Sequence, residues 1–350
     1  ASFAGDVAKN MTGKAMIGVG NSIGRMRNGD FSDIKNIGKE AKAIDNYGNV
    51  LVQAKMSVAT NSSSIIYNND NGYVEINEGA DLNINNNIND YGIYNNVAGP
   101  ISITSGLVSG TGANGIYNKT TGAISITSGT ISGVSHGIHM YGAGTLTMGT
   151  NDGGTPSTTL PLIKTTGTSS VYGVYISNAS AVYNFYDGKV TSASGTGYSI
   201  YTNSSIIINV PTNYDIVKTT ASGTETAILG AANNYQNTTT NTKYMYLYRA
   251  LSEVSDDQTI KVLTGITETT AATLSSGKTG VTLNLNGKTT TLSGVAITNN
   301  GSLTITGSGV ISGNVTNLIN SKTGTLTISG GTITSTMTVI YSETGPITIN

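Results

Sequence analysis

The sequence predicts an all-β fold: a right-handed parallel β-helix, a solenoid with three strands per coil, preceded by a short α-helical N-terminal segment. Three observations carry this. The same ordered trio of short apolar patterns recurs along most of the chain. Within each pattern apolar residues alternate with Thr, Ser or Asn. Gly, 45 of 350 residues, falls largely between the patterns.

The first segment, residues 1–57, lacks the trio. Val7, Ala8, Met11, Ala15, Ile17, Ile23 and Met26 have imperfect helical spacing, and Ile34, Ile37 and Ala41 line one side of a second stretch, Ile34 to Ala43. Helices this short and this rich in Gly are not stable alone. They are expected to pack on a partner or on copies of themselves, which makes residues 1–57 an anchoring or assembly segment and a homo-oligomer an expected state. This segment carries eight Lys/Arg and five Asp/Glu, and a solvated helical face accounts for them.

From residue 58 the period becomes two. The first pattern is a pair of apolar residues flanking a polar one: Val74/Ile76, Ile101/Ile103, Ile124/Ile126 and Leu146/Met148, then Leu283/Leu285, Leu303/Ile305, Leu326/Ile328 and Ile347/Ile349. Neighbouring pairs lie 27, 23 and 22 residues apart in the first series and 20, 23 and 21 in the second. The second pattern follows a glycine, as in Gly106-Leu-Val-Ser and Gly129-Thr-Ile-Ser. The third is an Ile-Tyr or Ile-Asn step, as in Gly92-Ile-Tyr-Asn95 and Gly115-Ile-Tyr-Asn118. Residues two apart on a strand share a face, so each coil sends its Ile, Leu and Val inward and its Thr, Ser and Asn to water. Coils stacked about 4.8 Å apart pair backbone with the coils above and below. One coil cannot bury its own apolar residues, but a stack makes a continuous core. Corner glycines supply the positive φ of tight turns. A β-sandwich or propeller also has short strands and many turns, but it calls for hairpin turns or a longer repeat.

Residues 58–215 therefore form a first solenoid segment and 259–350 a second, expected to continue beyond Asn350. Between them, in 216–258, Asn233 to Thr242 reads as a polar loop. Leu247, Ala250, Leu251 and Val254 form the stripe of an amphipathic helix that caps the second stack.

A net charge of −1 argues against general nucleic-acid binding through phosphates. With no Cys there are neither disulfides nor thiolate metal sites, and no apolar run is long enough to span a membrane as a helix. The start has no apolar signal-peptide core.

The strings LTMGTNDGG, YNFYDGKV, TASGTETAIL, VTLNLNGKTTTLSGVAITNNGSLTITGSGVISG and GTLTISGGTIT resemble large pectate-lyase-like β-helix repeat proteins displayed on or secreted by Gram-positive gut bacteria. Similar coils occur in bacteriophage tail spikes and appendages. The resemblance spans about residues 90–350 and implies the fold and an extracellular, cell-surface or virion-surface setting. It implies little about activity, since fold does not fix function.

Catalysis on such a scaffold needs carboxylates brought together from equivalent positions of adjacent coils. Asp70 and Asp90 are 20 apart, but no third acid joins them; Glu75, Glu78 and Asp81 read as a solvated edge. His139 takes the Tyr position of the third pattern, and with only two His, His136 and His139, a zinc site is not expected. Asp152-Gly and Asp187-Gly lack the alternating acids of a calcium loop. The reading is non-enzymatic, without catalytic residues, metal or other cofactor. Tyr67, Tyr94, Tyr117, Tyr175 and Tyr201 recur at equivalent positions and are the candidate binding residues, for a surface glycan or a surface protein. Stacking that stabilises the coils is their plainer role. Asn68, Asn95 and Asn118, one position on, are expected to form a hydrogen-bonded ladder. The function expected is an extracellular or particle-surface structural and adhesive stalk; the alternative is a tail spike that recognises and cleaves host polysaccharide.

Overall fold

The computed structural model describes residues 15–16, 42–46, 50–52, 55–59, 64–69, 73–77, 81–85 and 91–350, apart from 111, 194–195, 203–205 and 207. The chain divides into two compact units, one of residues 1–211 and 216–229, the other of 212–215 and 230–350. Both are parallel β-solenoids, together of about 12 turns.

In the first unit each coil contributes one strand to each of three sheets. One sheet stacks Val50–Val52, Val74–Ile76, Ile101–Ile103, Ile124–Ile126, Thr145–Met148, Val182–Phe185 and Ile208–Asn209. In it Ile101 pairs with Ile124 and Ile103 with Ile126, and all four side chains are buried. Identical residues thus lie over one another, so the alternation seen along one strand becomes an apolar column across the stack. The second sheet runs from Lys55–Ala59 through Leu107–Gly110 and Thr130–Gly133 to Lys189–Ser192. Gly106, Gly129 and Gly188 turn the chain into its strands with φ of 85°, 87° and 97°, a backbone conformation that costs side-chain-bearing residues energy. The third sheet, the tyrosine face, stacks Lys42–Asn46, Ser64–Asn68, Tyr91–Asn95, Asn114–Asn118, His136–Met140, Tyr172–Ile176 and Tyr198–Thr202.

Two expectations are corrected here. The solenoid does not begin at residue 58. Lys42–Asn46, Val50–Val52 and Lys55–Ala59 pair in parallel with the next coil, so residues 42–57 include strands where a helical segment was expected. Ile44 aligns with Ile66 and Asn46 with Asn68; cross-strand pairing overrides the local helical preference of Lys42-Ala43. The remainder of the anticipated helical segment lies outside the described residues, except Ala15–Met16, a short strand antiparallel to Lys42–Asn46. Nor does the stretch from 216 open as a loop. Tyr214–Ala221 and Thr224–Ala231 are adjacent strands turned by Ser222 (φ 50°) and Gly223 (φ 78°), and the second lies antiparallel on Lys189–Ser192, ending that sheet's parallel stacking.

The second unit opens with short antiparallel strands, Tyr235–Asn237 and Lys243–Tyr244, and a helix, α1 (Leu247–Glu253). Leu247, Ala250 and Leu251 of α1 and the following Val254 are buried in one cluster with Leu274, Ile297 and Ile319. Ala272–Leu274 is the first strand of its sheet, and α1 packs on it where a preceding coil would otherwise lie. Parallel coils then follow, with Thr259–Val262, Val281–Asn284, Ser302–Thr306, Thr325–Ile328 and Ile347–Ile349 in one sheet. Glu268 points inward and accepts a hydrogen bond from the Leu247 N–H at the start of α1 (2.9 Å). In the next coil that position is Leu292.

Candidate functional site

Each central strand of the tyrosine face has the form x-Gly-x-Tyr/His-x, and its side chains do not simply alternate. In Tyr91–Asn95, Gly92, Ile93 and Asn95 are buried while Tyr91 and Tyr94 face outward, three positions apart. Two consecutive inward residues mark a bend in the strand, and neighbouring coils share it in register, Tyr91 over Ser64, Ile93 over Ile66 and Asn95 over Asn68, with no extra residue on either strand. At four of these strands the bend leaves no room for a side chain. A Cβ on Gly137 would lie 2.6 Å from the Gly173 carbonyl oxygen and 2.4 Å from Ile163 Cγ2; Gly92, Gly115 and Gly173 are as tightly confined.

The bend sets the two outward columns three residues apart along each strand instead of two. The first holds Tyr67, Tyr94, Tyr117, His139, Tyr175 and Tyr201 in register. All five candidate tyrosines stand in it, with His139 between Tyr117 and Tyr175. Tyr67 and Tyr94 stack at 4.8 Å and 7°, Tyr94 and Tyr117 at 5.1 Å and 20°. His139 meets Tyr117 edge-on and stacks on Tyr175 at 4.5 Å. The second column contains Tyr91, Asn114, His136, Tyr172 and Tyr198, and its rings contact the first: Tyr91 against Tyr94 at 5.2 Å, Tyr172 against Tyr201 at 4.7 Å. Tyr141 adds a ring 6.0 Å from both Tyr117 and His139. Eleven rings form one connected face. The reading from sequence found the first column but not Tyr91, Tyr141, His136, Tyr172 or Tyr198. For Tyr91, His136 and Tyr172 the signal was the glycine that follows each, two positions before the next outward ring; Tyr198, followed by Ser199, and Tyr141, past the end of its strand, carried no such signal.

Stacked rings cover much of one another's faces, so the surface offers ring edges and hydroxyls, with wider exposure at Tyr141 (55%) and Tyr198 (47%). The face is uncharged at neutral pH. Burial lowers the pKa of His136 and, with help from neighbouring His136, that of His139 to about 4. Burial, then the nearby phenols of Tyr94, Tyr91 and Tyr141, pushes Tyr117 up to about 12. Beside the columns runs the asparagine ladder: Asn68 Nδ2 donates to Asn95 Oδ1 and Asn95 Nδ2 to Asn118 Oδ1, both at 2.8 Å. Asn95 and Asn118 also donate to the Gly99 and Gly122 carbonyls of the following turns, at 2.9 and 2.7 Å. On the rim, Lys119 Nζ donates to Asn96 Oδ1.

Asp70, Glu78 and Asp90 lie outside the described residues, as does the side chain of Asp81. Glu75 accepts from Asn77 Nδ2 at 3.0 Å. Asp187 accepts from the backbone N–H groups of Ser157 and Thr150 and pins the loop between strands Thr145–Met148 and Leu162–Thr165. Among the described residues no three His, Asp or Glu side chains gather to hold a metal, and no helix is long and apolar enough to cross a membrane. Compared with known proteins, the chain matches no family model, no curated protein and no solved structure.

Proposed function

We propose that this chain is a structural and adhesive β-solenoid stalk that presents its tyrosine face to a surface glycan or surface protein. One observation carries the reading: eleven rings joined into an uncharged, partly exposed face on a scaffold whose other outward positions are largely Thr, Ser and Asn. Aromatic side chains with polar tips favour such contacts, because they bury apolar area at low cost in side-chain entropy and keep a hydrogen-bonding group at the rim. Parallel stacking adds length coil by coil without changing the cross-section, which suits a stalk. The setting is extracellular, on a cell or a virion, in keeping with the resemblance to pectate-lyase-like surface proteins of Gram-positive gut bacteria. Of residues 1–57, those ahead of the first strand of the stack, Lys42–Asn46, join the stalk to a larger assembly, as a homo-oligomer.

The test is a glycan array together with capture of surface proteins, using the wild type and the Tyr94→Ala/Tyr117→Ala double variant. Signal lost in the variant while its circular dichroism is unchanged supports the reading. Binding that survives both substitutions overturns the assignment of the face. Glycan turnover abolished by Asp70→Asn or Asp90→Asn would replace the stalk with a polysaccharide-cleaving tail spike.

A further inference from the structure

We propose that His136 and His139 form an open Cu2+-binding site on the tyrosine face, taking the ion by two imidazole nitrogens from a single strand. The bend at Gly137 puts both rings on the outward side of His136–Met140, three positions apart, with their centroids 5.2 Å from each other and their planes at 83°. That separation fits a shared ion. A metal–nitrogen bond of about 2.0 Å plus a ring radius of about 1.2 Å puts each centroid about 3.2 Å from the metal, so rings subtending roughly 90–110° there lie about 4.5–5.2 Å apart.

The hydrogen bonds leave one ring nitrogen of each histidine available. His136 Nδ1 lies 2.6 Å from the Ser135 carbonyl oxygen, which only accepts, so Nδ1 carries the proton and Nε2 the lone pair. The hydroxyl of Ser177 donates its one proton to the Met140 carbonyl oxygen. The 3.1 Å contact of that hydroxyl with His139 Nε2 is therefore donated by the ring, and Nδ1 carries the lone pair. This is the arrangement of metal-binding imidazoles, which donate their second N–H to an oxygen that fixes tautomer and ring orientation.

The donor set selects the metal. Two nitrogens with water completing the shell suit tetragonal Cu2+, which also heads the divalent affinity order. Structural Zn2+ takes four protein ligands, and among the described residues no third His, Asp or Glu approaches.

Neighbouring coils supply conservative controls. Asn114 aligns with His136, and Tyr117 and Tyr175 align with His139, so His136→Asn and His139→Tyr only copy residues the stack already accepts. Titration of the tag-free full chain with CuCl2 should show one bound equivalent, with an electron paramagnetic resonance spectrum split by two nitrogens. Each variant should weaken binding on the order of tenfold or more while circular dichroism is unchanged. No bound equivalent, one nitrogen only, or binding equal to wild type in both variants overturns the site. Should a variant misfold, the wild-type nitrogen count decides: two supports the site and fewer reject it.

Discussion

The two units use the same coil and finish it differently. On its tyrosine face the first unit displays rings; on the corresponding strands the second displays the column Thr298, Asn320 and Tyr341. Both close one corner with an inward polar side chain that binds a turn carbonyl. In the first, Asn95 and Asn118 reach four residues ahead; in the second, Ser321 and Ser342 reach three, to Gly324 and Gly345. The backbone stack is thus indifferent to what it shows outward, provided the inward columns and the corners are kept. Whatever distinguishes the units in function resides in the outward columns, and the second unit's corresponding strands, such as Ile297–Asn299, alternate without the two consecutive inward residues of Tyr91–Asn95.

The largest expected effect is therefore at the confined glycines of the bend. Gly137→Val drives a side chain into the Gly173 carbonyl and Ile163, and is expected to destabilise the first unit by about 3 kcal/mol. Gly294 of the second unit sits at φ 69° with nothing within 4 Å of its Cβ position, so Gly294→Ala should cost only about 1–2 kcal/mol, from left-handed strain. Urea unfolding followed by peptide-resolved hydrogen exchange reads the units separately. Equal losses would mean that the confinement at Gly137 is not the constraint it is taken to be.

Next come the corners. Asn95→Ala removes an acceptor from Asn68 and donors to Asn118 and Gly99 inside a buried ladder, an expected loss of about 2 kcal/mol. Ser321→Ala, which ends a shorter chain from Asn299 to Gly324, should cost about 1 kcal/mol by the same measurement. A larger effect at Ser321 would reverse the ranking of the two corner designs.

The units should also respond to pH in opposite directions. Burial lowers both histidines of the first unit, so protonation favours its unfolded chain. Stability is full above the ordinary value of 6.5 and falls as pH drops towards about 4. In the second unit burial raises Glu268 and, against Arg249, Asp215, so the protonated forms favour the fold. Their contribution is full below the ordinary carboxylate range and fades as pH rises through the folded values. His139→Tyr should reduce the first slope and Glu268→Gln the second, the glutamine still accepting from the Leu247 N–H. Slopes of the same sign in both units would contradict this.

Much of this was legible in advance because a solenoid writes its contacts into its repeat. Ile101/Ile103 and Ile124/Ile126 share one spacing and one face, and that alone places them over each other. The misses came where one residue type has two uses. Only a positive φ was expected of the glycines, yet Gly92, Gly115, Gly137 and Gly173 lack it, and close confinement is what excludes a Cβ there. Ile44-Asp-Asn46 repeats Ile66-Tyr-Asn68, but lies beside Lys and Ala that favour a helix. Ser222-Gly223 between two alternating runs is a hairpin signal that an expected break in the stack concealed. Glu268 could not be found by pattern, since an inward acid is justified only by the N–H of a helix 21 residues earlier in the chain.

The smallest expected effect concerns the columns themselves. Tyr94 stacks on Tyr67 and Tyr117 and touches Tyr91 edge-on, so Tyr94→Leu keeps apolar area but removes three ring contacts. Aromatic pairs contribute about 0.5–1.5 kcal/mol each beyond their area, but the rings are partly exposed and the remaining rings can close up, so a net loss of about 1 kcal/mol is expected. Thr304→Ala, at an outward position of the second unit, should stay within about 0.5 kcal/mol. Thermal unfolding of the two variants sharpens the central distinction. A measurable loss at Tyr94 with none at Thr304 means that the ring column supports its own scaffold as well as any ligand. If Tyr94→Leu is as silent as Thr304→Ala, stacking contributes nothing to the fold, and recognition becomes the remaining physical reason for eleven rings on one face.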